Sequence, residues 1–356
     1  METKKLNVGV IGAGSISKNH LTYYKENPDV NLIAISDLNE ELARDKKEQF
    51  GLQYYVTDYQ TLLADPSIDA VSIATPTFTH ARIVIDALRA GKHVLCEKPP
   101  AMNATEAQQC AQTAKETGKL LMYGLVCRFN NEDRFLKEQA DKGELGKVLY
   151  ADASRVTRCS QLKGWFVDKD KAGGGMLDAT IHEIDTCLWI MGYPKPVSVL
   201  GYYNHANIDL PKRVRGLTEY YQSSDTNTYE RNVESMATAL VTFENGTCLH
   251  LKSGSVMNSV NTGAFVDISA EKAGARLNRF GKELKMLELK PDGHFEEYTA
   301  SFPEGNNPFR EEINHFVDCC LNGTPCIITP EQCVQLMQIL DACYQSAETG
   351  KPVIFE

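Results

Sequence analysis

A chain of 356 residues, 42% hydrophobic and 24% charged, has the make-up of an ordinary globular protein long enough for two cores. A formal net charge of -10 argues against nucleic acid as the main partner, because phosphate backbones demand a basic surface. No apolar run nears the roughly 20 residues that span a bilayer, and the short polar start before the first strand leaves no room for a signal peptide. A cytoplasmic protein without membrane or nucleic-acid partners is therefore expected. The eleven cysteines fit this. Their number is odd and no C-x-x-C occurs, while Cys96, Cys187 and Cys343 sit in apolar stretches, so they read as reduced thiols and no metal site is expected.

Up to about residue 125, short β-branched runs alternate with helical periodicity. Strands are predicted at Asn7–Ile11, Asn31–Ser36, Ala70–Ala74, His93–Cys96 and Leu120–Tyr123, and helices at Glu40–Phe50, Thr79–Ala90 and Ala104–Thr117. Such alternation implies a parallel sheet covered on both faces. The first strand runs into Gly12-Ala13-Gly14-Ser15-Ile16-Ser17. Gly12 permits a tight turn, and Gly14 lets backbone approach a pyrophosphate at the positive end of the next helix, so Gly12, Gly14, Ser15 and Ile16 are candidate cofactor contacts. Asp37 ends the second strand, where an acid binds ribose hydroxyls and repels a 2′-phosphate, favouring NAD over NADP. It is equally placed to cap the helix Glu40–Phe50. Thr75 and Pro76 stand at the carboxyl end of another strand, the edge where ligands bind, and His80 opens the helix after them as a supporting residue. Glu97-Lys98-Pro99 follows the strand His93–Cys96 at the same edge, and the proline, which could adopt a cis bond, fixes the direction of Lys98.

Beyond residue 126 the pattern changes. A helix near Glu132–Asp141 is followed by predicted strands Lys147–Val156, Val197–Tyr203, Glu234–Phe243, Thr247–Ser253, Ala264–Ser269 and Gly274–Arg279. Glu244-Asn245-Gly246 reads as a hairpin turn, so this sheet is expected to be mostly antiparallel. Helices near Phe309–Leu321 and Pro330–Thr349 and a strand Pro352–Phe355 close the chain. The long polar stretch Asn204–Arg231 has no clear period and is read as a functional loop or a solvated insertion. The expected fold class is α/β: a Rossmann dinucleotide-binding domain over 1–125, then an α+β domain over 126–356 with a large open sheet.

Gly173-Gly174-Gly175 runs into a helix carrying Asp178 and His182 four positions apart, hence on one face, with an apolar stripe of Leu177, Ile181, Ile184 and Leu188 on the same helix that would make it a core helix either way. A carboxylate beside an imidazole handles protons. A metal site from Asp178, His182 and Asp185 would have one nitrogen ligand only and is disfavoured. Arg128, Arg155, Arg158 and Trp165 could hold a polyhydroxylated or acidic substrate by forks and stacking, or serve as salt bridges and core packing.

The glycine turn, Glu97-Lys98-Pro99, and Gly173–Gly175 with Asp178 and His182, in that order over essentially the whole chain, resemble the glucose–fructose oxidoreductase, inositol dehydrogenase and rhizopine catabolism (Gfo/Idh/MocA) family. The resemblance implies pyridine-nucleotide chemistry on sugars or cyclic polyols, a catalytic set of Lys98, Asp178 and His182, and a second domain whose open sheet forms dimers or tetramers. Thr77 stands where many members have asparagine, and Ala179-Thr180 replaces the common small pair before Ile181. In the mechanism so implied, His182 is the general acid/base, Lys98 stabilises the oxyanion and relays its proton, and Glu97 lies on the ribose side of the cofactor. Two other readings share the motifs: a redox-neutral NAD-requiring glycosidase or epimerase, and a sugar sensor without catalysis.

Overall fold

The computed structural model describes residues 5–159, 164–207 and 230–356. Most of the polar stretch Asn204–Arg231 lies outside the described residues. Six strands, Leu6–Ile11 (β1), Val30–Ser36 (β2), Tyr54–Val56 (β3), Ala70–Ile73 (β4), His93–Glu97 (β5) and Leu121–Gly124 (β6), form a parallel sheet in the order β3-β2-β1-β4-β5-β6. Helices Ser17–Glu26 (α1), Glu40–Phe50 (α2), Tyr59–Leu63 (α3), His80–Arg89 (α4) and Ala104–Thr117 (α5) alternate with them. All four residues of β4 are buried, as a central strand covered on both faces requires. Local chemistry sets the helix limits. Asn39 accepts the Leu42 N–H and Asn103 the Glu106 N–H, while Gly51 and Gly118 end α2 and α5 in the left-handed region at φ 69° and 63°. Asn39, and not Asp37, is therefore the cap of α2. The strand order reverses between β1 and β4, where doubly wound sheets bind ligands at their carboxyl ends.

The chain continues through Asn131–Asp141 (α6), Val148–Val156 (β7), Lys169–Ala172 (α7), Ile181–Ile190 (α8), Pro196–Asn204 (β8), Met236–Phe243 (β9), Cys248–Gly254 (β10), Gly263–Ala270 (β11), Ala273–Asn278 (β12), Glu283–Leu289 (β13), Phe295–Thr299 (β14), Pro308–Asn322 (α9), Pro330–Thr349 (α10) and Val353–Ile354 (β15). Its strands make one sheet in the order β14-β13-β12-β11-β7-β10-β9-β8-β15. The β7–β10 pair is parallel and the others are antiparallel. Alternation governs it: Ala237, Ala239, Val241 and Phe243 of β9 are buried and their neighbours are not. The hairpin turn is where the sequence places it, with the Gly246 N–H on Phe243 O at 2.9 Å. Packing divides the chain into two compact units, and α9 belongs with the first, against α1, although it follows the second sheet in sequence.

Five elements escape the sequence pattern: the four-residue α7, and β3, α3, β13 and β14. Strand β3 and helix α3 are likewise only three and five residues long. The other two end the sheet and carry Glu283, Lys285 and Glu288 on β13 and Glu296 and Glu297 on β14, with Lys290, just past β13, bonded to Glu288 and Glu296. Charged side chains on an edge strand read as a loop although they protect the edge.

Candidate active site

In the first unit, the turn after β1 is built for close approach. Gly12 has φ 103°, and a Cβ there would lie 2.4 Å from the Ala74 carbonyl oxygen, so only glycine fits. A Cβ on Gly14 would meet nothing within 4 Å. Ser17 is buried and donates to Gly14 O at 2.7 Å, which closes the turn onto α1. No side chain caps the start of α1, whose Lys18 and Asn19 N–H groups turn back onto Ser15 O and Ile16 O at 3.4 and 3.0 Å, so the positive end of the helix faces the glycine turn. Asp37 ties the end of β2 to this turn by accepting the Ala13 N–H at 2.7 Å and the Asn39 N–H at 2.8 Å. Each of its oxygens keeps a second lone pair for a ribose hydroxyl. This donor set fits a dinucleotide.

Two histidines organise the neighbouring strand ends. His80 opens α4, is buried, and places its ring nitrogens 2.7 Å from Pro99 O and 2.8 Å from Thr75 O. It thereby joins the Thr75-Pro76 turn to the Lys98-Pro99 turn, whose peptide bond is cis. Burial pushes the His80 imidazole below its ordinary value, and the two carbonyls oppose this only in part. Thr75 and Thr79 share a hydroxyl contact at 2.7 Å. Beneath Lys98, Glu97 is buried, with Oε1 on His20 Nε2 at 2.8 Å and Oε2 accepting the Lys98 N–H at 3.2 Å. His20 in turn meets Ser72 at 2.7 Å. Burial raises the Glu97 carboxyl, but the hydrogen bond and charge of His20, with Lys98, outweigh it and hold the group below the usual range. Glu97, expected on the ribose side, is thus an inward anchor for the end of β5.

In the second unit, the glycine run is tightly enclosed. Gly173 and Gly174 have φ 78° and 111°. A Cβ on Gly174 would lie 2.4 Å from Glu234 Oε2 and 2.5 Å from the Tyr344 hydroxyl. Glu234 Oε1 accepts the Met176 N–H at 3.1 Å and the Tyr344 hydroxyl at 2.8 Å. The chain then makes a π turn over Met176–Thr180 before α8, so Asp178 does not sit on the regular α-helix the spacing predicts. The facing survives. Met176, Leu177, Thr180, Ile181 and Ile184 are buried, whereas Gly175, Asp178, Ala179 and His182 are partly exposed.

A family model described as an oxidoreductase family with an NAD-binding Rossmann fold matches residues 6–125, and its companion, a C-terminal alpha/beta domain, matches residues 137–355. The chain belongs to the Gfo/Idh/MocA oxidoreductase family. D-glucoside 3-dehydrogenase of Escherichia coli is 31% identical over 369 aligned positions, covering 99% of this chain and 98% of that protein. Myo-inositol 2-dehydrogenase of Thermotoga maritima is 34% identical over 187, about half of either protein (52% and 55%). Among solved structures, levoglucosan dehydrogenase in complex with NADH has the same fold, with a TM-score of 0.83 over 99% of this chain and 100% of that one at 22% identity.

Within this Gfo/Idh/MocA member, two candidate substrate residues are engaged elsewhere. Arg128 is fully buried, its fork on Asp185 at 2.9 and 2.6 Å and its Nη2 on the Tyr193 hydroxyl at 2.8 Å, so it is a core ion pair. The same bond removes Asp185 from any metal set with Asp178 and His182. Arg155 forks onto Glu183 at 2.9 and 2.7 Å. Trp165 stacks on Phe166 with centroids 3.9 Å apart and stays partly exposed. Arg158 borders a hollow of about 580 Å³ lined also by Val156, Thr157, Phe265 and Phe280. His20, Glu234 and Tyr344 escaped the sequence reading, since no spacing rule links position 174 to 234 and 344. None of the eleven cysteines forms a disulfide, and among the described residues no helix is long and apolar enough to cross a membrane.

Proposed function

We propose that this oxidoreductase transfers hydride between the nicotinamide of NAD and a carbinol carbon of a sugar, sugar derivative or cyclic polyol. The observation that carries this reading is the donor set after β1: a turn only glycine can make, an uncapped helix start and an acid at the end of β2. The relatives named for glucoside and inositol support the substrate class. Gly12, Gly14, Ser15 and Ile16 would hold the pyrophosphate, Asp37 a ribose, and Thr75, Pro76 and Lys98 the nicotinamide half. The bound dinucleotide supplies the hydride acceptor in the oxidation direction. His182 takes the substrate hydroxyl proton, a task suited to an imidazole. Lys98 donates a hydrogen bond to the same oxygen, stabilises the developing alkoxide and relays the proton. Asp178 orients the substrate hydroxyls.

The test is NAD reduction, read by near-ultraviolet absorbance, against a panel of inositols, monosaccharides and glycosides. Net NADH formation with at least one of them is expected, and His182→Ala should lower turnover by roughly 10²–10⁴-fold. Substrate conversion without net NADH would replace this reading by the redox-neutral one. A homodimer or homotetramer through the second sheet is part of the proposal, supported by the exposed, directly paired Leu200 and Leu240 and by Tyr202 on its outer side. Light scattering of Leu200→Glu against the parent protein tests it.

A further inference from the structure

We propose that His315, Cys319 and Cys326 form a binding site for a thiophilic divalent cation of the zinc class. His315 and Cys319 lie one turn apart on α9, so their side chains leave the same face. Gly323 ends that helix in the left-handed region at φ 70°, and the chain doubles back to bring Cys326 to the pair. The three potential ligand atoms all lie within 4.8 Å of one another. The Cys319 sulfur is 3.5 Å from His315 Nε2. Around a tetrahedral ion with nitrogen at about 2.0 Å and sulfur at about 2.3 Å, the two atoms stand ~3.5 Å apart, and two sulfurs ~3.8 Å. The cluster is already near that size. Thiolates with an imidazole favour zinc over magnesium or calcium. His315 and Cys326 are partly exposed, which leaves an entry path and room for a water as fourth ligand.

The groups also have reason to accept an ion. As a thiol, Cys326 donates to Ile328 O at 3.1 Å; as a thiolate it would face that carbonyl with like partial charge. A divalent cation removes the conflict. Binding displaces the remaining thiol protons to solvent, and two thiolates balance the 2+ charge without any redox change. The Ile327 N–H, now on His315 Nε2 at 3.1 Å, must release that nitrogen. The site would pin the end of α9 to the segment leading into α10. Neither a C-x-x-C pair nor a second histidine announces it in sequence.

Cobalt(II) is the probe. The reduced full-length protein, titrated with Co²⁺, should develop thiolate-to-cobalt charge-transfer and tetrahedral d–d absorption that saturates at one equivalent and is displaced by Zn²⁺. Cys319→Ser and Cys326→Ser should abolish it, and His315→Ala should weaken binding at least ~10-fold. Zn²⁺ should raise the melting midpoint of the parent and not of Cys326→Ser, whose basal activity should match the parent. A reduced parent without the bands, or bands persisting in both serine variants, overturns the site.

Discussion

Removing the Glu234 carboxylate strips the glycine run of its anchor, and the loss can be sized. Glu234 is 5% exposed and accepts from two groups, the Met176 N–H and the Tyr344 hydroxyl. Hydrogen bonds to a charged acceptor contribute about 1.5–3 kcal/mol each, and a buried donor left alone costs about 1–3 kcal/mol. Glu234→Ala should therefore destabilise by about 3–5 kcal/mol. Tyr344→Phe deletes one donor and leaves the carboxylate on the other, so about 1–2 kcal/mol is expected. Because both variants break the same bond, the double variant should fall short of the sum by about 1–2 kcal/mol. Urea unfolding followed by tryptophan fluorescence reads this unit directly, since the chain's two tryptophans, Trp165 and Trp189, both lie in it. Turnover should drop as the turn carrying Asp178 loosens, while the KM for NAD stays put. A Glu234→Ala protein within about 0.5 kcal/mol of the parent, or strict additivity with Tyr344→Phe, would refute the anchoring role.

Gly12→Ala forces φ 103° on a residue with a Cβ and drives that atom into the Ala74 backbone; calorimetry should show NAD binding weakened at least ~10-fold, and unchanged affinity would remove the turn from the cofactor site. Glu312 is fully buried, and burial, then the charge of Glu97, pushes its carboxyl well above the usual range. The folded chain thus keeps a proton that the unfolded chain loses above about pH 4.3, so stability from this group is full below that pH and falls by about 1.4 kcal/mol per pH unit as pH rises towards the folded pKa. Glu312→Gln should flatten that slope in denaturation curves between pH 5 and 7, and an identical slope would count against a protonated Glu312. Arg128→Lys gives up the fork to Asp185 inside the core and should cost about 3 kcal/mol in urea melts, with substrate KM within about twofold; a large KM change would return Arg128 to the substrate.

The parallel sheet was legible because buried strands such as β4 and β5 are mostly apolar and helices α2 and α5 carry asparagine caps and glycine ends. Gly12, Asp37 and Lys98 were legible because each stands at a strand's carboxyl end, a position chain order alone defines. Other features were not. The π turn at Met176–Thr180 has no sequence period of its own, and the Glu234–Tyr344 anchor spans 110 residues. Arg128 and Arg155 stayed open between substrate binding and a salt bridge for a simple reason. An arginine in a sequence shows its charge, whereas its partner, here Asp185 or Glu183, appears only when the chain folds.

Helix α9 has a temporal consequence. The sheet that begins the chain is finished by a segment, Asn307–Met337, that a ribosome makes some two hundred residues later. Until that segment emerges, the flank of α1 it will cover stays wet. Proteolysis or truncation ahead of Asn307 would accordingly leave the nucleotide half unfinished, however intact its own six strands.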